Sequence, residues 1–362
     1  MAKSSLYSNG RPHPLAQYNY TLPVDNIRTE PLTVRDQSRL FVYDTRTDTV
    51  TFDYFYNLAK YIPQNSLMVL NNTAVIPARV TFRKDTGGKV GGLILMNEGV
   101  DDEGAIPAIV DEKIFPGRRL SLLDEYWFTI TRQVEQRFYL KPEFDIALLP
   151  SVLERCGTTP TPFYLGRLVT DEDALRVRYQ TIFAKEKKSV AAPTASLHFT
   201  DEVFASLDAA HVKRVEVTLD VGLGTFAEVE EHHVKEGKLH SEKFHIAKEV
   251  CEAIKQSKKE SRPVMAVGTT VTRTLESCAT RILNQESSLM ADETDIFIMP
   301  PYDFKIIDHL ITNFHVPQSS LMALVDAFLV HKNAKRRILD LYEIAKQEDF
   351  KFYSFGDSMV IL

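Results

Sequence analysis

Beyond Pro150 the sequence keeps exchanging helical for extended patterning, and that alternation restricts the fold more than any other feature. "TDEDALRVRYQTIFAKE" opens on acidic residues and sets apolar side chains at helical spacing. "TDEVFASLDAAH" reads as a second helix, with Thr200 placed to cap it. Strand "RVEVTLDVG", helix "AKEVCEAIKQSKK", strand "PVMAVG", helix "TVTRTLESCATRIL" and strand "DIFIM" follow, then helices "SSLMALVDAFLVHK" and "KRRILDLYEIAKQ". Such alternation predicts an α/β architecture around a mostly buried sheet. Residues 73–149 have another texture. Their β-branched and aromatic runs "AVIPARVTFR", "KVGGLILMN" and "EYWFTITRQVEQRFYL" are split by Gly, Asp and Pro turns and predict a small barrel or sandwich. "SLMVLNN", just before them, reads as a buried strand. The expectation is one α/β domain, residues 1–72 and 150–362, interrupted by an insertion at 73–149.

With 44% hydrophobic and 25% charged residues in 362, the chain has the balance of a globular protein. A net charge of −6 argues against wholesale wrapping of nucleic acid and leaves room for a local basic patch. Cys156, Cys251 and Cys278 lack paired spacing, which disfavours a disulfide framework or zinc site and predicts a reducing, cytoplasmic home. No metal-ligand set is visible, so no metal is predicted. The polar first residues do not resemble a signal peptide, and the best apolar run, "SLMALVDAFLV", is short and holds Asp326, so no membrane association is predicted.

Several motifs could carry chemistry. Gly268-Thr269-Thr270 joins a strand to a helix, where free N–H groups favour an anion; a threonine capping its own helix explains the same residues. "DVGLGTF" offers Gly222 and Gly224 at a strand end, which a tight turn also explains. In "KLHSEKF", His240 and Glu242 share one face of a strand, as an acid/base pair or a surface ion pair. "SVAAPTASLHFT" and "ITNFHVPQSSLMALVDAF" each set a histidine beside a phenylalanine ahead of a helix: His198 with Phe199, His315 with Phe314. These two junctions are expected to converge on one pocket, since open α/β sheets collect ligands at such crossings. The basic clusters Arg83-Lys84, Arg118-Arg119, Lys185-Lys187-Lys188 and Lys335-Arg336-Arg337 read as solvated faces with room for a modest polyanion footprint.

Read together, "RDQSRL", "IPAR", "GGKV", "PGRRL", "RYQTIFA", "VAAPTASLHFT", "VGLGTF", "HSE", "AVGTTVTRTLES", "TDIFI", "LITNFHVPQSSLMALVDAF" and "FYSFGDSM" stand in order along the chain. The set closely resembles the S-adenosylmethionine:tRNA ribosyltransferase-isomerase family of the queuosine pathway, from about residue 20 onward. The resemblance implies that the insertion is a β-barrel. It also implies that the ribosyl part of S-adenosylmethionine moves to a 7-aminomethyl-7-deazaguanine at the wobble position of tRNA with a GUN anticodon. Rearrangement would give epoxyqueuosine, with adenine and methionine released, by a monomer in the cytoplasm. Within that reading, His198, His240 and His315 would supply base and acid, Glu242 orienting one of them. Phe199, Phe314 or Tyr179 would stack on adenine or face the sulfonium. Gly268, Thr269, Thr270 and Arg273 would hold a carboxylate or phosphate, with Gly222, Gly224, Thr225 and Asn313 completing the donor site. The family usually has Asp, Arg, His, His and Lys where Asn72, Ala74, Asp220, Gly237 and Gln318 stand, and Gly at Ser196. Those departures frame the competing expectation of a divergent relative with an altered acceptor or no catalysis.

Overall fold

The computed structural model describes residues 7–8, 11–162, 165, 171–222, 229–284 and 290–362. Two short strands, Tyr7–Ser8 (β1) and Arg11–Pro12 (β2), pair with each other. The hairpin Arg39–Asp44 (β3) and Thr49–Tyr54 (β4), then Leu67–Asn71 (β5), belong to the large sheet. Thr73–Val75 (β6) leads to Arg79–Lys84 (β7), Lys89–Ile94 (β8), Ile106–Val110 (β9), Arg119–Leu122 (β10), Tyr126–Val134 (β11) and Arg137–Pro142 (β12). Strands β7 to β12 close into a barrel, β10 pairing back onto β7. Alternation drives this closure: Val80 and Phe82 point inward with Val90, Phe128, Ile130 and Leu140, while residues between them meet solvent.

The chain then returns to the sheet through Leu149–Cys156 (α1), Glu172–Arg178 (α2) and Glu186–Ser189 (β13), the last pairing parallel with β6. There follow Asp201–Ala209 (α3), Lys213–Leu219 (β14), Glu231–Glu236 (α4), Lys238–Ile246 (β15), Lys248–Lys259 (α5), Val264–Val267 (β16) and Thr269–Ser277 (α6). Ala279–Leu283 (α7), Met290–Ile296 (β17), His309–Asn313 (β18), Ser320–His331 (α8), Ile338–Gln347 (α9) and Ser358–Ile361 (β19) complete it. The sheet has nine strands in the order β17-β15-β14-β5-β16-β18-β19-β3-β4. Strands β14, β5, β16 and β18 run parallel, so their carboxyl ends share one edge. Both faces of these strands are covered. Leu67 and Val69 pack into the core that includes α5, α6, α8 and α9, while Met68 and Leu70 pack against α3 and the turn Phe55–Lys60. Each such side chain contributes on the order of 1.5–3 kcal/mol by leaving water. The fold class is the expected one: α/β, with an inserted closed barrel.

Three segments depart from the expected elements. The helix in "TDEDALRVRYQTIFAKE" stops at Arg178, and "TVTRTLESCATRIL" divides at Cys278 into α6 and α7. The strand expected in "DIFIM" lies earlier, at Met290–Ile296; as an edge strand it is largely polar, and the more apolar Phe297 and Ile298 leave it to enter the core. Asp326, the charge inside α8, is buried against Arg337 and accepts from the Tyr18 hydroxyl at 3.0 Å. Gly157 marks a tight join of barrel and sheet: a Cβ there would sit 1.7 Å from the Pro77 carbonyl oxygen.

Candidate active site

At the carboxyl edge of the parallel strands, β16 passes directly into α6 through Gly268, whose φ of 92° favours glycine. The Gly268 N–H donates to the Ile311 carbonyl at 2.7 Å, and no side chain caps the helix. Neither Thr269 nor Thr270 does so. The hydroxyls of Thr272 and Thr274 donate backward, to the Gly268 and Thr270 carbonyls, at 3.1 and 3.0 Å. The first amides of α6 therefore meet a cavity with the positive end of the helix dipole behind them. Across that cavity β18 ends at Asn313, whose Oδ1 accepts from the Thr194 hydroxyl at 3.0 Å. Its Nδ2 is buried and without a hydrogen-bond partner. Next comes His315, its Nε2 2.8 Å from the Thr312 hydroxyl and its N–H donating to the Tyr342 hydroxyl at 2.7 Å. Burial pushes the His315 pKa well below the usual range. Pro193, Thr194, Thr269, Asn313, His315 and Ser354 line this cavity.

A second cavity shares Ser354 with the first in its lining and is bounded by Pro31, Leu32, Arg35, Arg178, His198 and Phe355. His198 arrives there because the short 3-10 turn Thr194–Ser196 is followed at once by Thr200, whose hydroxyl accepts from the Val203 N–H at 3.2 Å to start α3. The imidazole is buried and bonded to the backbone of Arg35, and its Nε2 has no partner. Burial pulls its pKa down to about 4 against the pull of Asp357, so the ring is neutral near pH 7.

The structure brings His198 and His315 to these two cavities, with Gly268, Thr269, Thr270, Asn313 and Phe314 also lining the first, but it places His240, Glu242, Arg273, Gly222, Phe199 and Tyr179 outside both linings. His240 stands on β15 with its ring 5.2 Å from that of His233; burial, then Arg137 of the barrel, lower its pKa, and it lines neither cavity. Glu242 does not share a hydrogen bond with it. Instead Glu242 forms a buried ion pair with Arg273 and accepts from the Gly222 N–H at 3.1 Å. Arg273 is thus committed to Glu242 and, at 3.3 Å, to the Ile296 carbonyl, with Nη2 left over and buried. The Gly222 amide is likewise spent; its missing side chain makes way for Asn97, whose Nδ2 would lie 2.7 Å from a Cβ. The stacking expected of Phe199, Phe314 and Tyr179 is closed by protein. Phe199 is fully buried among Phe55, Phe183 and Phe204, and Tyr179 lies edge-on to Phe355. Phe314 borders the first cavity, yet its ring is wedged among Phe41, Tyr342, Phe350 and Phe352. Gly224 and Thr225 lie outside the described residues.

Sequence reasoning passed over Thr194, Arg35, Arg178 and Ser354. Thr194 stands inside the small-residue stretch quoted for His198, and Arg35 inside "RDQSRL"; nothing in either marks it as lining a cavity. The departures are absorbed differently. Asn72 bonds Glu216 at 3.1 Å and Thr218 at 2.7 Å, Ala74 is buried in β6, and Asp220 keeps a buried Oδ1 without a partner, its pKa raised by burial. Among the described residues no helix is long and apolar enough to cross a membrane, and no group of three or more His, Cys, Asp or Glu side chains is arranged to hold a metal ion.

A family model described as "Queuosine biosynthesis protein" matches residues 15–361. The chain is 39% identical over 355 residues to the S-adenosylmethionine:tRNA ribosyltransferase-isomerase of Carboxydothermus hydrogenoformans, covering 96% of this chain and 99% of that one. It is 37% identical over 356 residues to the protein of that name from Fusobacterium nucleatum, covering 96% of each. Among solved structures, it is similar to an S-adenosylmethionine tRNA ribosyltransferase from Thermotoga maritima, with a TM-score of 0.53 and 29% identity, over 96% of this chain and 100% of the other.

Proposed function

The chain belongs to the queuosine biosynthesis protein family, and on that premise we propose that it is an S-adenosylmethionine:tRNA ribosyltransferase-isomerase. S-adenosylmethionine is its co-substrate and tRNA its acceptor. The ribosyl group passes to the aminomethyl nitrogen of the 7-deazaguanine at the wobble position of a GUN-anticodon tRNA. The rearranged product is epoxyqueuosine-tRNA, and adenine and methionine leave. We place this activity in a cytoplasmic monomer.

One observation carries the site assignment: the uncapped start of α6 faces the unpartnered Asn313 amide where the parallel strands end. Thr269, Thr270 and Asn313 together offer donors to a carboxylate, the one anionic group of the donor substrate. A sulfonium acidifies the hydrogens on the neighbouring C5′, and His198, neutral with an unpartnered Nε2, is suited to accept such a proton. His315, anchored by Thr312, borders the same region and is suited to direct a hydrogen bond at the departing adenine. Arg273 and Glu242 brace β15 against α6 one helical turn behind the amides rather than touching substrate.

The test is incubation with S-adenosylmethionine and tRNA carrying the aminomethyl-deazaguanine, followed by chromatography of the small products. Free adenine and methionine in equal amounts are expected. Formation of S-adenosylhomocysteine, or tRNA binding with no turnover, would overturn the reading.

A further inference from the structure

The basic runs that stand out in the sequence are mostly neutralised in the fold. Arg83 meets Asp124, Arg118 meets Asp85, Arg119 meets Glu143, Lys185 meets Glu216, Lys187 meets Glu154, and Arg336 and Arg337 meet Asp48 and Asp326. A different pair of cations is not. Among the described residues Arg35 donates only to backbone carbonyls, to Val177 at 2.7 Å and to Gln180 and Leu197 at 2.5 and 3.4 Å, and its charge meets no carboxylate there. Arg178, the last residue of α2, has no ion-pair or hydrogen-bond partner among the described residues. Its neighbour Arg176 shows the contrast, being tied to Glu172, Glu154 and the Gly157 carbonyl.

Two guanidiniums therefore line one cavity with no acidic side chain among its described lining residues, beside a buried imidazole whose Nε2 is unpartnered. Each cation disfavours the other, and the repulsion is registered in the lowered pKa of Arg35, after burial. Protein interiors seldom leave buried polar atoms unmet without a role for them. Apolar residues accompany the cations: Pro31 and Leu32 are in the lining, and Val34 and Val177, next in sequence to the two arginines, are 46% and 68% exposed. A cationic notch with an apolar lip suits a nucleotide that offers a phosphate to the notch and a base or sugar to the lip.

We propose that Arg178, backed by Arg35, is the docking point for a backbone phosphodiester of the RNA substrate, holding the displaced nucleotide at the mouth of the His198 cavity. The inference rests on the proposed function for the identity of the polymer. A phosphodiester fits better than the donor's carboxylate because the donors proposed for that carboxylate, Thr269 and Asn313, line the other cavity and Arg178 does not.

The test is equilibrium binding of the full chain to a labelled, unmodified anticodon stem-loop RNA by fluorescence anisotropy, across potassium chloride concentrations and without donor. Arg178→Gln is expected to weaken binding roughly tenfold and to flatten the plot of log affinity against log salt by about 0.7, the share of one phosphate on a single strand. Arg178→Lys should keep the slope. Unchanged affinity and slope in Arg178→Gln would overturn the proposal. So would intact RNA binding together with weakened binding of S-adenosylmethionine by calorimetry, which would give the pair to the donor carboxylate. Because no turnover is needed, the proposal survives if adenine release fails, and it fails by itself if turnover is sound but Arg178 is indifferent.

Discussion

The barrel and the carboxyl edge of the large sheet treat polar groups in opposite ways. On the barrel, charged side chains sit at the surface in pairs, such as Arg119 with Glu143 and Arg132 with Asp101, and its strands leave one buried side-chain polar atom unmet, the Ser121 hydroxyl. At the sheet edge, His198, Asn313, Asp220, Arg273 and Ser196 all keep a buried polar atom without a partner. Such atoms cost stability, on the order of 1–3 kcal/mol each. A region that keeps several is organised around something other than its own stability, and the barrel supplies the reference for what a satisfied region looks like.

The sharpest way to break that contrast is the Glu242–Arg273 pair. Arg273→Leu leaves a buried carboxylate alone and is expected to cost about 3–5 kcal/mol in urea unfolding, most of it recovered in Arg273→Met/Glu242→Leu. Loss of less than about 1 kcal/mol would mean the edge is as forgiving as the barrel surface. Acid titration comes next. His198 has a folded pKa of about 4 against 6.5, so between these values the unfolded chain holds the extra proton. Stability is full above pH 6.5 and declines as pH falls toward 4, by up to about 3 kcal/mol, and His198→Gln should flatten that part of the profile. Asn313→Leu should leave stability within about 1 kcal/mol, yet weaken calorimetric binding of S-adenosylmethionine at least tenfold. Undiminished binding would remove the α6 amides and Asn313 from the donor site. The smallest effect belongs to the barrel: Arg119→Ala, at an exposed pair, should not measurably move the urea midpoint.

The same contrast explains what the sequence could disclose. Barrel and sheet were legible because burial imposes a period of two or 3.6 on apolar residues, and a period survives in one dimension. The edge strand Met290–Ile296 escaped because its polar face hid it beside the more apolar residues that follow. In the site, Gly268, Asn313 and the two histidine junctions were visible as strand-to-helix turns. Phe199 is enclosed because consecutive residues turn their side chains apart: His198 reaches the cavity and the Phe199 ring enters the core, while Phe314 borders the His315 cavity with its ring packed among other aromatics. Glu242 is taken instead by Arg273, 31 residues on, and a partner that distant in sequence cannot be read from strand alternation. Arg178 was hidden for a different reason. A cation matters here by lacking a partner, and partners are chosen in three dimensions.

Strand β19 lies between β18 and β3, parallel to the latter, and so joins the β3–β4 hairpin to the rest of the sheet. In chain order that hairpin comes long before β19, so it cannot take its place in the sheet until Ser358–Ile361 has been made. The barrel, running only from 79 to 142, can close long before. Pairings so far apart in sequence are slow to form, so the sheet edge that β19 closes stays open longer in folding than any pairing within the barrel.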